Sequence, residues 1–286
     1  MNISQNKIKF PSVFAAIMIL AIPSVSYASD LSSATENLNT STNQLIEAKD
    51  GADINVLSAE EELSYRRKVV SDALTLSYKE IESAREKLDA TSLDEKSDSG
   101  KIRSAILLWL EEEEKYFKGA EDELTSESLD LEGIKDLARD IKAHRDDNYN
   151  KKLADALDFI FALEASRLTD TATDRWNKID TDLKKLEKAG LIKKDLFSAD
   201  MTEAKKMIDG ARALIEKALS SSVKIYLPAP EEENQEVTEN NNEIVIEEEE
   251  IPSARDLFEA AIVNLKSAYG EFVKISTAVK KLLRLP

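Results

Sequence analysis

The sequence predicts an all-α protein, and two observations support that prediction. Only seven Gly and six Pro occur among 286 residues, so residues that break helices are scarce. Apolar residues recur at alternating steps of three and four, the spacing that places them on one face of a helix. Because many such segments follow one another, we expect an elongated bundle of antiparallel helices, with coiled-coil-like long members and no significant β structure.

The clearest apolar seam lies near the C-terminus. It has no polar exception over about three and a half heptads, which is typical of a coiled coil. A second long seam predicts a helix over residues 150–189, about 60 Å long at about 1.5 Å per residue. The first seam consists of Phe258, Ala261, Leu265, Ala268, Phe272, Ile275, Val279 and Leu282, and the second of Leu157, Phe161, Ala165, Leu168, Ala172, Trp176, Ile179, Leu183 and Leu186.

Capping and breaking residues set the remaining boundaries. Ser58 and Glu61 have the spacing of a capping box that opens the second helix. Gly190 is the expected C-terminal stop of the long helix. Whether the fourth and fifth helices are continuous is left open. The predicted bundle domain, residues 29–227, contains helices over about 31–49, 59–90, 101–125, 131–144, 150–189 and 201–223.

Residues 228–252 form an acidic segment with ten Glu and neither Lys nor Arg. Such a segment repels itself and has little apolar surface to bury, so we predict a flexible linker. The alternative is a small hairpin between the short alternating runs 223–227 and 244–246. The linker leads to a C-terminal amphipathic helix, residues 253–286, which we expect to dock on the bundle.

The first 28 residues have the three parts of a secretory signal peptide. Lys7 and Lys9 supply the positive start. Residues 13–22 supply a short apolar core, and Ser26-Tyr27-Ala28 supplies small residues at the cleavage site. An uncleaved anchor is the alternative, but it needs about 20 apolar residues, and Pro23 interrupts this run. We therefore expect an exported protein that is periplasmic, extracellular or on the cell surface.

The composition argues against several classes of function. The net charge is −17, whereas nucleic acid binding needs clustered Lys and Arg, so we expect no nucleic acid partner. The same acidity disfavours contact with an anionic membrane without excluding it. The sequence contains no Cys, which removes disulfides, thiolate metal sites and Cys nucleophiles.

The single histidine is the first candidate for metal or catalytic chemistry. Asp140 precedes His144 by four residues, so both side chains would share a helix face. Two ligands do not make a zinc or di-iron site, and we expect a solvated histidine near a helix junction. We therefore predict no metal, no cofactor and no catalytic residue.

An acidic run at residues 111–114 is the second candidate. Four consecutive helical residues point around the whole circumference, and the run is spaced to pair with Lys115 and Lys118, so we expect a solvated face. Trp109 and Trp176 lie in or beside apolar seams, and we expect both to belong to the core.

Two short basic clusters are the candidate contacts for a partner. Each also has an ordinary explanation, because Glu62 can pair with Arg66 along the helix and cations in a last helical turn complement the helix dipole. The candidate contact residues are Arg66, Arg67, Lys68, Lys280, Lys281 and Arg284.

These patterns favour an exported, non-catalytic helical-bundle protein that serves as a protein-interaction or structural component of the envelope or cell surface. Two alternatives stay open: a membrane-active protein that uses its C-terminal helix, and a periplasmic chaperone or small-ligand carrier. The expected partner is another protein, and the heptad seam is also compatible with a homo-oligomer.

The acidic segment yields a testable prediction. Brief treatment with a protease that cleaves after Glu should cut first within residues 228–252, because exposed flexible segments are the preferred sites of nicking. Mass spectrometry of the early fragments locates the cut. First cleavage elsewhere, with this segment intact, would contradict a flexible linker.

Overall fold

The computed structural model describes residues 25–50, 58–227 and 253–283, which form helices and short loops without a β-strand. The predicted all-α class is confirmed. Residues 1–24 of the predicted signal peptide, the acidic segment 228–252 and residues 284–286 lie outside this part of the chain. The helices are α1 (Val25–Asp50), α2 (Ala59–Asp89), α3 (Asp98–Leu124), α4 (Leu131–His144), α5 (Asn150–Lys188), α6 (Ser198–Tyr226) and α7 (Ala254–Leu283), with a π-helical turn (Arg145–Tyr149) between α4 and α5.

Local capping explains where several helices begin. The predicted capping box is present: the Glu61 N–H donates to Ser58 Oγ at 3.2 Å, and the Ser58 N–H donates to the Glu61 carboxylate at 3.0 Å. The Ser58 hydroxyl, which donates to the Glu61 carboxylate at 2.7 Å, and the Ser58 N–H together lower the pKa of Glu61 below its ordinary value. Helix α3 begins three residues earlier than predicted, because Ser97 Oγ accepts from the Gly100 N–H.

The first half of the molecule packs α2, α3, α4 and the beginning of α5 around one apolar core. Helix α3 runs antiparallel to α2, since Arg103 near its start donates to the carbonyl of Leu88 at the end of α2. Helix α1 lies along α2, and its side that contacts α2 includes the buried Ser41. The core includes Leu74, Ile81, Ile106, Leu110, Phe117, Ile134, Ile141, Phe159 and Ile160.

The second half packs α5, α6 and α7. Helix α6 is antiparallel to both neighbours, because its start contacts Trp176 of α5 and Lys274 of α7. Small and large residues alternate along the seams, which lets three helices approach closely. Buried seam residues are Ala204, Ile208, Ala211, Ile215 and Ala218 of α6, and Ala261, Leu265, Ala268, Phe272, Ile275 and Val279 of α7.

The predicted seams differ from the structure at several positions, and several of their residues, Phe258 among them, are only partly buried. Leu282 is 53% exposed, because the last turn of α7 extends past the buried seam. In the first half of α5, Phe159 and Ile160 are buried while the predicted seam residue Phe161 is only partly buried. Here α2, α3 and α6 all contribute to the surroundings of α5, so more than one of its faces is covered.

The predicted alternative of a small hairpin that includes residues 223–227 is also wrong, since residues 223–226 are helical.

A π-helical turn makes α4 and α5 one continuous helix. In this turn the Asn150 N–H donates to the carbonyl of Arg145, five residues earlier. Eight residues separate the buried side chains of Ile141 and Tyr149, and an α-helix would place them about 80° apart at about 100° per residue. The wide turn absorbs one residue, and both side chains therefore face the same core.

Helix α5 ends in a Schellman motif, as the position of Gly190 predicts. The Leu191 N–H donates to the Leu186 carbonyl and the Gly190 N–H to the Glu187 carbonyl, at 3.0 and 2.9 Å. Gly190 has φ +68°, a conformation that suits glycine.

None of the described helices combines the length and apolarity needed to cross a membrane.

Two glycine substitutions should change stability in opposite directions. Gly190→Ala should lower the free energy of unfolding by about 1 kcal/mol, because Ala disfavours a positive φ. Gly119→Ala should raise it by about 0.5–1 kcal/mol, because Gly119 lies in α3 with open space where a Cβ would sit. Urea denaturation measures both. A loss of stability in both variants, or in neither, would contradict the assigned backbone conformations.

Candidate functional site

A cluster of polar side chains surrounds the π-helical turn, and Glu113 of α3 is at its centre. The Glu113 carboxylate accepts from Trp109 Nε1 at 2.8 Å and is hydrogen-bonded to Nε2 of His144 at 2.6 Å. Glu113 is only 7% exposed. Both carboxylate oxygens therefore have a partner, which a buried charged group requires.

Aromatic rings enclose this carboxylate–imidazole pair. Tyr116 stacks on His144 with 3.7 Å between ring centroids, and Phe117 meets the same ring edge to face. Phe117 also packs edge to face on Tyr149, which lies 5.9 Å from Trp109 between centroids. The rings reduce contact with water and strengthen the hydrogen bonds that they surround.

Arg145 joins the same cluster to α2. Its guanidinium pairs with the Glu80 carboxylate at 3.0 Å, donates to the Ser77 hydroxyl and lies 5.0 Å from the centroid of the Tyr149 ring. The Tyr149 hydroxyl donates to the Ser77 carbonyl at 3.3 Å. Burial, together with the charge of Glu80, raises the pKa of Tyr149 well above its ordinary value. The phenol therefore stays protonated and keeps donating.

Two predictions about these residues are wrong. His144 lies near a helix junction as expected, but its side chain is only 22% exposed rather than solvated. Glu113 is buried, so the acidic run is not a solvated face throughout. Glu111 does pair with Lys115 at 2.7 Å as predicted, whereas Glu114 pairs with Arg85 of α2. Both errors arise because α3 packs against α2 and α4, which the sequence of one helix does not reveal.

The chemistry of this cluster is that of a network of hydrogen bonds and ion pairs. It combines an acid, an imidazole and a guanidinium, yet each is engaged with a neighbouring side chain. Among the described residues, no group of three or more His, Cys, Asp or Glu is arranged to hold a metal ion. The network links α2, α3 and the junction of α4 with α5, and we refer to it as the junction network. Its contribution is to fix how these helices are placed.

The first predicted basic cluster is engaged within the protein. Arg66 pairs with Glu62 at 2.8 Å and Lys68 with Asp72 at 3.0 Å, each along α2. Arg67 was not expected to make a tertiary contact. Its guanidinium donates at 2.9 Å to the carbonyl of Leu129, in the loop that follows α3. The three side chains thus point to different neighbours.

The second predicted basic cluster lies at the far end of the molecule. Lys281 is exposed and Lys280 partly exposed, while Arg284 is outside the described residues. Beside them lies an open depression of about 410 Å³, lined by Leu282 and by residues 190–193 and Leu196 of the loop between α5 and α6. We call the surface formed by residues 184–197 and 280–283 the basic tip.

The loop in the basic tip is held firmly. Ile192 and Phe197 are buried in a small core with Leu183 and Val279. The backbone N–H of Asp195, a residue with φ +57°, donates to the Glu187 carboxylate at 2.9 Å. The loop thus has two buried anchors and a side-chain tether.

A shallow apolar groove of about 150 Å³ runs between α5 and α7. Leu168, Ile262, Leu265, Lys266 and Tyr269 line it. Arg175 of α5 lies over the Tyr269 ring, 5.2 Å from its centroid. The two helices are parallel here, and α6 covers their opposite side.

Comparisons with protein-family models, curated proteins and solved structures found no match to this chain.

The junction network yields a stability prediction. Glu113→Ala should lower the free energy of unfolding by about 2–3 kcal/mol, because it leaves the Trp109 N–H and the His144 ring without their partner. Glu112→Ala is the matched control, since that neighbour is exposed, and should change stability by less than about 0.5 kcal/mol. Urea denaturation followed by tryptophan fluorescence measures both.

A double-mutant cycle tests the pair itself. Glu113→Ala and His144→Ala should be coupled by about 1 kcal/mol or more, because the two side chains are in direct contact. Additive effects would show that the 2.6 Å contact contributes nothing to stability.

Proposed function

We propose that this is an exported, non-catalytic helical-bundle protein of the envelope or cell surface, and that it binds another protein through the groove between α5 and α7. The leader-like start of the sequence supports export. The groove is the observation that carries the binding proposal, because it presents apolar side chains on two rigid helices.

The groove has the form that an amphipathic helix fits. Ile262, Lys266, Tyr269 and Val273 follow one another at spacings of three and four, so they form one stripe along α7. Val273 is 39% exposed although it is apolar. A helix laid on this stripe and on Leu168 would complete a four-helix arrangement, which is a common mode of peptide recognition.

The charges at the groove favour an acidic partner helix. Lys266 lines the groove and Arg175 lies over Tyr269, whereas the whole chain is strongly acidic. Complementary charge speeds association and selects the partner. The proposed partner is therefore an exported protein with an amphipathic helix whose apolar face is bordered by Asp or Glu.

The two depressions in the surface argue against the carrier alternative. Pockets for small ligands typically enclose about 300–1,000 Å³. This groove is about 150 Å³, and the larger depression at the basic tip, about 410 Å³, is open rather than enclosed. An interacting helix needs a long strip of contact rather than an enclosed volume. We therefore prefer a protein partner to a small ligand.

Site-specific photocrosslinking in the producing cells tests the proposal. A photoreactive residue in place of Val273 should give one dominant adduct, and mass spectrometry of that adduct should identify a helical segment with acidic flanks. The control places the same residue at Glu203, an exposed position of α6, and should not give the adduct. The double substitution Ile262→Ser and Lys266→Glu should reduce the adduct by about tenfold or more, as expected from losing an apolar anchor and a cation.

Three results would overturn the proposal. The first is no adduct at Val273 when the protein is present at native abundance. The second is the same adduct at Glu203, which would indicate collisions rather than a defined surface. The third is an enzymatic activity that a single surface substitution abolishes, because the protein would then be a catalyst.

A further inference from the structure

We propose that the basic tip binds the surface of an anionic phospholipid membrane, with Leu191, Leu196 and Leu282 in the interface and the surrounding lysines against lipid phosphates. This proposal goes beyond the protein-binding groove and does not depend on it. Tyr269 in the groove and Leu282 at the tip are 13 residues apart on α7, or about 20 Å at about 1.5 Å per residue.

The charge at the tip is opposite in sign to that of the whole chain. Residues 184–197 and 280–283 contain seven Lys against two acidic residues, in a protein whose net charge is −17. Lys184 and Lys185 pair with aspartates one turn away on α5. Within the described residues no ion pair is seen for four other lysines, Lys188, Lys193, Lys194 and Lys281. The fold thus gathers cations from two distant parts of the sequence.

Helix dipoles do not account for all of these lysines. Lys188 is in the last turn of α5 and Lys281 near the end of α7, where a cation complements the dipole. Lys193 and Lys194, however, lie in the loop between α5 and α6, outside either helix. Both are exposed. Their position calls for a second explanation, which an anionic ligand provides.

Three large apolar side chains lie among these cations. Leu191, Leu196 and Leu282 are 50%, 44% and 53% exposed, and all three line the same open depression. Ile192 and Phe197 anchor the loop from inside, so Leu191 and Leu196 are exposed although the chain around them is fixed. Exposed apolar residues bordered by Lys are typical of surfaces that enter the membrane interface.

The lysines and the open shape of the basic tip disfavour other binding partners. A second copy docked tip to tip would bring two sets of lysines face to face, which like-charge repulsion opposes. An acidic helix needs an elongated groove such as the one between α5 and α7, whereas the depression at the tip is open. A bilayer offers a broad anionic surface that contacts all the lysines at once, with an apolar layer beneath it for the leucines.

Vesicle flotation with the full-length protein tests this. Vesicles of equal parts phosphatidylcholine and phosphatidylglycerol should carry the protein upward in a density gradient, and vesicles of phosphatidylcholine alone should not. Binding should weaken as salt is raised, because the attraction is partly electrostatic. The double variant Lys193→Glu and Lys194→Glu should weaken binding by about tenfold or more.

Matched variants control for charge and for apolar content. Lys205→Glu and Lys206→Glu change the net charge equally, but these adjacent lysines lie on the flank of α6 and pair within it. They should leave flotation unchanged. Leu191→Ser and Leu282→Ser together should weaken binding, whereas Leu108→Ser on α3, which also replaces an exposed leucine, should not. Circular dichroism establishes that each variant keeps its helix content.

Each contrary outcome overturns the proposal. Absence of flotation with phosphatidylglycerol would exclude the anionic membrane as ligand. Equal losses in the Lys193/Lys194 and Lys205/Lys206 variants would show that only net charge matters. If light scattering shows that the tip leucines hold two copies together, the tip is a protein interface instead. None of these results bears on crosslinking at the groove.

Discussion

The structure depends on one helix that belongs to two cores. From Leu131 to Lys188 the chain is continuous, first packed by α2 and α3 and then by α6 and α7. A straight α-helix buries the side chains along one of its faces. Here the buried side chains before and after the junction have to lie on the same side of one continuous helix. The π-helical turn absorbs the one extra residue. This alignment of the buried side chains requires a wider and less regular turn.

The junction network stabilises that turn from the side. Arg145 contacts α2, and His144 contacts Glu113 of α3, so the two residues on either side of the α4 boundary bind different helices. An apolar contact could slide along its neighbour, because the hydrophobic effect has no preferred direction. Hydrogen bonds between buried polar groups fix both distance and angle. The network therefore fixes how far α2, α3 and the junction are shifted along one another, which the apolar cores alone do not fix.

The sequence predicted the parts of this fold that follow from single helices. The seams of α6 and most of α7 were predictable, because three helices pack there with one repeating pattern of Ala and larger residues. The π-helical turn falls in residues 145–149, which the helix prediction left unassigned, so the interruption of the apolar rhythm was a usable signal. The burial of Phe159 and Ile160 was not predictable, since it depends on the placement of α2, α3 and α6.

The candidate sites were less predictable for a related reason. His144 is a surface residue if α4 is considered alone, and it becomes part of a network only when Glu113 and Tyr116 approach it from α3. Arg67 similarly finds its carbonyl partner in a loop more than 50 residues away. A side chain's chemistry depends on its neighbours in space, and one sequence specifies these only through the complete fold.

Binding likewise depends on the charges near a surface rather than on the net charge of the whole chain. A total of −17 suggests repulsion from every anionic surface. Charge, however, acts over about 8–10 Å in physiological salt, so a partner at one end senses the charges near it and little of the remainder. At the end of the molecule where α5 and α7 terminate, those charges are mainly lysines. Helix ends that meet at one place concentrate the cations that their dipoles favour, and the antiparallel course of α6 leaves its own C-terminal end elsewhere. The parallel course of α5 and α7 thereby places lysines from two helix ends beside Lys193 and Lys194 of the loop, at one end of the described part of an acidic chain.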